Sequence, residues 1–187
     1  MTNLFAYLDS LYPLPKELDE VLQQAFRKRT IAKKEYLLWA GKPCQHLYFV
    51  EKGLLHVFYC LEEKDISSSF IKEGEVAIPV GSFFGQKRGH ENIQAMEESV
   101  VLCIDYNQWE QLLHQFPVLN YVARRLLEKC LAMHLQRFQG MWTQLADRRY
   151  KWLKEQYPWL FQRVPAKYLA SYLGITPAML SRVKAKR

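Results

Sequence analysis

The sequence predicts an α+β chain: an antiparallel β-sandwich or barrel, then one long helix, then two short helices joined by a tight turn. Three observations predict it. Between Thr30 and Ile104 short β-type runs recur at near-regular spacing, with Gly and Pro between them. After Pro117 the apolar period becomes helical, and it lies on two faces at once. At the end of the chain, VPAKYLASYLGITPAMLSRVKAK has the spacing of a helix-turn-helix.

The elements follow in order. Leu4, Leu8 and Leu11, then Leu18, Val21, Leu22 and Phe26 after the Pro13/Pro15 break, predict two short helices. β-type runs follow at Thr30–Ala32, Tyr36–Trp39, Leu47–Val50, Leu54–Tyr59, Ile66–Ile71, Val76–Val80, Asn92–Met96 and Val100–Ile104. Asp105 can cap the next helix, with Gln108 three residues on completing a capping-box pattern. That helix, 106–115, stops at Phe116–Pro117.

Pro117 opens a helix of about 22 residues that ends near Gly140, the expected hinge. One stripe holds Leu119, Val122, Leu126, Cys130 and Met133; the other holds Leu127, Leu131, Leu135, Phe138 and Trp142. One stripe is enough to dock a helix on its own barrel, so two imply burial from both sides. The expected second partner is the same helix of another copy across a two-fold axis, met through Leu119, Val122, Leu126, Cys130 and Met133. A central helix in a monomer is the alternative. Met141–Gln156 is one more helix, with Leu145, Trp152 and Leu153 inward and Arg148, Arg149 and Lys151 partly outward; Tyr157–Pro158 ends it.

In the terminal stretch Ala166–Tyr172 is the first helix and Thr176 to Lys184 the second. Leu169, Leu173, Ile175, Leu180 and Val183 are spaced to share one seam, and Ala170 is small where the helices cross. Gly174 can take the positive φ of the turn, Thr176 is a good N-cap, and Pro177 suits the first helical position. In such a pattern the second helix enters the DNA major groove. The plain alternative is a helix hairpin with a glycine turn.

Charge supports the first reading. The chain carries +7 overall, but residues 141–187 hold 10 Lys/Arg against 2 Asp/Glu, while residues 1–140 hold 16 against 17. A basic end on a neutral body points to a polyanion partner. No run approaches the roughly 18 apolar residues of a membrane-spanning helix, and the N-terminus lacks the pattern of a secretory signal. Cys44, Cys60, Cys103 and Cys130 are scattered, without a C-x-x-C pair, and read as buried free thiols of a cytoplasmic protein. No metal site and no cofactor are expected.

The segments EYLLWAGKPCQHLYFVEKGLLHVFY, IQAMEESVVLCID and RVPAKYLASYLGITPAMLSRVKAK, in that order, resemble the catabolite-activator/FNR family of bacterial transcription regulators. The last looks like the short, wingless regulators of Bacteroidetes-type lineages. The resemblance implies a cyclic-nucleotide-binding-like double-stranded β-helix (jelly roll) over 1–115, a dimerisation helix over 116–140 and a DNA-binding helix-turn-helix domain over 141–187. It implies a homodimer that reads a palindromic operator. The implied partners are double-stranded DNA, a second copy of the chain, RNA polymerase, and a small effector or none; no membrane is among them.

Two departures from the family pattern matter. Its cyclic-nucleotide binders carry a Gly-Glu pair for the ribose and an Arg-Ser/Thr segment for the phosphate. The matching positions here are Ile78–Pro79 and Gly89–His90, with Arg88 one place off, so tight binding of cAMP is not expected. Phe83, Phe84, Gln86, Arg88, His90 and Asn92 lie near the mouth of the implied pocket. The family's base-reading Arg and Glu fall on Pro177 and Ala178, leaving Arg182 as the base-reading arginine. The expected DNA-contacting set is Lys167, Ser171, Thr176, Pro177, Ala178, Ser181, Arg182, Lys184 and Lys186, with Arg148 and Arg149 adding phosphate contacts.

Two other classes compete. One is a stand-alone small-molecule-binding barrel with a degenerate DNA-binding tail. The other is a cupin-type enzyme, since cupins share the barrel shape. That one is disfavoured because His46 and His56 stand ten apart without an H-x-H pair. No Ser/His/Asp or Cys/His set points to nucleophilic catalysis, and the chain is not expected to be an enzyme.

Overall fold

The computed structural model describes residues 2–185. Two helices, α1 (Thr2–Leu11) and α2 (Glu17–Ala25), precede strands β1 (Arg27–Ile31), β2 (Tyr36–Leu38), β3 (His46–Lys52), β4 (Leu55–Leu61), β5 (Lys64–Ile71) and β6 (Val76–Ala77). A short helix α3 (Val80–Phe83) leads to β7 (Glu91–Ala95) and β8 (Ser99–Asp105). Six helices close the described chain: α4 (Tyr106–Gln115), α5 (Val118–Thr143), α6 (Ala146–Gln156), α7 (Leu160–Arg163), α8 (Ala166–Tyr172) and α9 (Pro177–Ala185).

The strands form two four-stranded sheets, in the orders β1-β8-β3-β6 and β2-β7-β4-β5. Antiparallel pairs such as Phe49 with Leu102 set the register of the first sheet. β4 and β5 are consecutive neighbours joined through Glu62 and Glu63, both at positive φ, as a two-residue hairpin of matching twist requires. Gly53, at φ +100°, is forced: a Cβ there would run into Ser99. The Ser99 hydroxyl in turn accepts from the Leu54 N–H at 3.3 Å and donates to the Glu97 carbonyl at 2.8 Å.

The chain divides into two units. One holds the residues up to Val57 together with Phe70–Glu128; the other holds Phe58–Ser69 together with the chain from Lys129 onward. The second thus groups the end of the β4–β5 hairpin with the C-terminal helices. The core of the first unit draws on Leu4 and Leu8 of α1, Leu18 and Leu22 of α2, Phe49, Leu55, Ile93 and Leu102 of the strands, and Trp109 of α4. Asp105 caps α4 as its sequence pattern predicts, its side chain accepting from the Gln108 N–H at 3.0 Å.

Four features differ from the sequence-based expectation. The Val76–Val80 run makes only a two-residue strand. Buried Pro79 has no N–H for the ladder and instead starts α3, its carbonyl accepting from Ser82 and Phe83 at 3.0 and 2.8 Å. Gly140 is no hinge, because α5 runs through it to Thr143 and the break falls at Gln144–Leu145. A mid-helix glycine costs only about 1 kcal/mol, which tertiary contacts easily override. Leu145, expected inward, is exposed at the start of α6. Of the thiols, Cys44 and Cys103 are buried, but Cys60 is exposed on β4 and Cys130 is half-buried; all four are free.

The main correction concerns α5. Leu119, Val122 and Leu126, expected at a dimer interface, are buried in the core of the chain's own first unit. They pack under α4 and the strands, so no second copy can reach them. Cys130, half-buried, and Met133, exposed, continue that stripe. The other stripe is the open one: Leu131, Leu135, Phe138 and Trp142 are 60%, 51%, 59% and 78% exposed. Leu126→Ala is therefore expected to lower the unfolding free energy by about 2–5 kcal/mol in a urea titration followed by circular dichroism. A loss under about 0.5 kcal/mol would place Leu126 outside the core.

Candidate nucleic-acid interface

The C-terminal unit centres on α8 and α9. Leu169 and Leu173 from the first, and Leu180 and Val183 from the second, are buried, and Ala170 is fully covered. The turn between them is closed by two backbone bonds. Ile175 N–H donates to the Ala170 carbonyl and Gly174 N–H to the Ser171 carbonyl, both at 3.0 Å. That pair of bonds needs a left-handed residue after the helix, and Gly174 supplies it at φ +65°. Thr176 then caps α9, its hydroxyl accepting from the Met179 N–H at 3.2 Å, with Pro177 as the first helical residue.

The last two carbonyls of α8 go to arginines from other helices. Arg137 of α5 donates Nε–H to the Tyr172 carbonyl at 3.3 Å, and Arg149 of α6 donates Nε–H to the Leu173 carbonyl at 3.0 Å. Arg149 also donates to the Met141 and Gln144 carbonyls at 3.3 and 2.7 Å, closing the end of α5. Four carbonyls that α8 cannot satisfy itself are thereby all paired. Both cations sit at the negative end of the α8 dipole. The Arg137 guanidinium lies 4.3 Å from the Tyr172 ring centroid, and burial lowers its pKa from the ordinary arginine value. Arg137, Arg149, Met141, Gln144 and Trp152 line a cavity of about 70 Å³, far below the roughly 300–1,000 Å³ of small-molecule sites.

The expected DNA-contacting residues are not all equivalent. Thr176, Pro177, Ala178, Ser181, Arg182 and Lys184 form an exposed surface at and along α9. Ser181 spends its hydroxyl proton on the Pro177 carbonyl at 3.1 Å. Exposed Lys167 extends the surface from α8; its ammonium lies 4.3 Å from the Tyr168 ring centroid, and a hydrogen bond to Tyr168 raises its pKa. Arg148 is exposed, whereas Arg149 is tied to carbonyls as described. Ser171 is accounted for inside the chain: its hydroxyl donates to the Asp65 carbonyl and accepts from the Ser67 N–H, each at 2.9 Å. Lys186 lies outside the described residues. The sequence reading missed Met179, an exposed apolar side chain on α9, and Arg137. Met179 could have been found from its place in the helix; Arg137 carries no local signal.

In the first unit the six expected pocket residues do different work. Phe83 is fully buried, in edge contact with Phe84 and Tyr106 at 5.2 and 5.5 Å between centroids. Asn92 is buried and accepts from the Ala40 N–H at 2.9 Å. Gln86 donates to the Cys44 and Phe83 carbonyls at 3.2 and 2.5 Å. Ser82 accepts from the Cys44 N–H at 2.8 Å and donates to the Lys87 carbonyl at 2.7 Å. Arg88 and His90 are exposed. Burial pushes the neighbouring Cys44 thiol up to about 11, so it stays protonated.

Residues 28–116 match the family described as the cyclic nucleotide-binding domain. The chain is 24% identical over 128 residues to the anaerobic regulatory protein of Bacillus subtilis (strain 168), a stretch covering 68% of this chain and 52% of that protein. It therefore spans about half the length of that curated relative. Among solved structures it is similar to the c-di-GMP responsive global regulator CLP of Xanthomonas campestris, with TM-score 0.72 and 17% identity, over 90% of this chain and 89% of that one. It is also similar to the catabolite activator protein of Thermus thermophilus, with TM-score 0.56 and 20% identity, over 96% and 85%. At such identities the likeness shows the fold. That likeness in fold extends over nearly the whole chain.

The Gly174 turn makes a prediction. Gly174→Ala places a side chain at positive φ, with its Cβ 2.9 Å from the Met141 methyl. It is expected to cost about 1–3 kcal/mol, seen as faster amide exchange across α8 and α9; unchanged protection there would remove the turn from the list of constraints.

Proposed function

We propose that the chain is a homodimeric DNA-binding transcription regulator that reads a two-fold-symmetric operator through α9. The observation that carries this is the exposed, basic outer face of a capped helix whose inner face is buried on α8. A surface of this kind suits the major groove. In this reading Arg182 meets guanine O6 and N7, and Thr176 and Ala178 meet thymine methyls or phosphates. In the same reading Lys167, Lys184 and Arg148 contact the DNA backbone. The names of the relatives, two regulators and a catabolite activator, support the same class.

The dimer is assigned to the open stripe of α5. Leu131, Leu135, Phe138 and Trp142 are spaced 4, 3 and 4 apart, the seam of a two-stranded coiled coil. Four large apolar side chains on one helix face are explained by a self-complementary contact about a two-fold axis. Among the described residues no helix is long and apolar enough to cross a membrane, and no group of three potential metal ligands converges. Any effector is a molecule other than cAMP. Buried Pro79 stands where the ribose-binding carboxylate would be, and the nearest arginine, Arg88, is exposed.

Titrating the protein onto a duplex selected from a random pool, at several salt concentrations, tests the reading. Affinity is expected to fall steeply with salt. Arg182→Ala should cost about 1–3 kcal/mol and relax the preference at one base pair of each half-site. No binding at low salt would sink the proposal. On a sizing column Leu135→Asp should run as a monomer while keeping its fold, and should lose operator affinity with it, since both half-sites are otherwise held together. A Leu135→Asp protein that stays dimeric would refute the α5 seam.

A further inference from the structure

β5 is the outermost strand in its sheet order, so one of its edges has no strand partner. An unpaired edge must have its N–H and C=O groups satisfied or exposed. Along Asp65–Ser68 they are satisfied by side chains of the C-terminal helices. The Ser171 hydroxyl of α8 bridges the Asp65 carbonyl and the Ser67 N–H, acting as a one-residue strand. Arg137 of α5 donates to the Ser67 and Ser68 carbonyls at 2.9 and 3.0 Å while its Nε–H holds the Tyr172 carbonyl of α8. Ser67 is completely buried in this contact.

One guanidinium therefore ties three things together: the helix that carries the proposed dimer seam, the hairpin edge, and the first of the two terminal helices. Its place on α5, between Leu135 and Phe138, sets it beside that seam in sequence. The apolar contact between α8 and α9 does not involve it. Leu169, Leu173, Leu180 and Val183 are buried, and Leu169 and Leu173 each stand two positions from Ser171, about 200° round the helix. The pair can keep its own fold when the polar link is cut. What the link adds is orientation, because directional hydrogen bonds fix an angle that an apolar seam leaves softer.

We infer that Ser171 and Arg137 are positioning residues that lock α8, and α9 with it, at one angle to α5, so that the dimer accepts only one spacing between its two half-sites. The inference rests on the DNA-binding reading. It concerns the geometry of the operator, not the bases read in each half. In a two-fold dimer the separation of the reading helices must match the DNA repeat, so a fixed helix angle becomes a fixed spacing.

The test uses the full-length protein. The operator selected by the wild type is remade with one or two base pairs added to or removed from its centre, and as a single half-site. Affinities are measured for wild type, Ser171→Ala, Arg137→Gln and Ser171→Thr. The wild type is expected to prefer its own spacing by roughly 10². Ser171→Ala and Arg137→Gln should bind the single half-site as the wild type does and lose about tenfold of the spacing preference. Ser171→Thr keeps the hydroxyl and should keep the preference. A folded, dimeric Ser171→Ala protein with unchanged spacing preference overturns the inference, as does an equal loss on every duplex including the half-site, which marks a merely structural role. If Arg137→Gln fails to fold, the Ser171→Ala and Ser171→Thr pair decides. A wild type that binds no duplex overturns the DNA-binding reading instead.

Discussion

One helix carries two apolar faces, and the rest of the structure follows from how α5 divides them. Its first half spends Leu119, Val122 and Leu126 on the core of the chain's own first unit. Its second half leaves Leu131, Leu135, Phe138 and Trp142 open. The unit boundary falls between Glu128 and Lys129, where the first use ends and the second begins. A core-facing stripe follows the helical period of 3.6, while a seam between two helices follows 3.5. Over its 26 residues α5 therefore carries two apolar faces, each on one half, and the open one suits the seam proposed above.

The terminal helix pair is held in a different currency. Inside the pair the contact is apolar, and hydrogen bonds to main-chain groups add to its attachment to α5, α6 and the hairpin edge. Arg137 and Arg149 are the donors, and they face the C-terminal end of α8, where a cation is favoured by the dipole as well as by the unpaired carbonyls. Burial works against the charge of Arg137, and its pKa falls accordingly. An arginine begins so far above neutral pH that it remains charged. Its delocalised, weakly hydrated guanidinium suits a site built of carbonyls and a tyrosine ring better than an ammonium would. This makes Arg137 costly to replace by lysine as well as by a neutral group.

Local patterns in the sequence carried the regular elements well. The alternating runs became β1 to β5, β7 and β8, because apolar alternation with Gly and Pro punctuation depends on the strand itself. Asp105, Gly174, Thr176 and Pro177 took the capping and turn positions their chemistry suits. What local pattern could not decide was which α5 stripe met the barrel. Both have helical spacing and similar hydrophobicity, and only the rotation of the helix on the strands separates them. Gly140 misled for a related reason: its intrinsic cost is smaller than the carbonyl contacts that sustain the helix through it. Ser171 looked like a surface serine of the first helix, and Arg137 like any basic residue on a charged helix. Their partners, Asp65 to Ser68, are about 70 to 106 positions away in sequence, and a main-chain partner leaves no mark in residue type.

The same reasoning bears on the loop between β6 and β7, where the domain family places its nucleotide chemistry. Here the fold persists while the polar groups have other employment. Ser82 links the Cys44 N–H to the Lys87 carbonyl, Gln86 binds the Cys44 and Phe83 carbonyls, and Phe83 closes the core beside Phe84 and Tyr106. A loop that requires a phosphate to complete it leaves donors converging on an empty point. Here the Ser82 hydroxyl and the Gln86 amide donate to the chain's own carbonyls, and Gly89 lets the loop close tightly on Ser82, where a Cβ would come within 2.9 Å. Strand packing depends on many apolar positions and survives the loss of a few polar ones, whereas ligand chemistry depends on those few. The barrel can therefore keep its strand packing without that ligand chemistry.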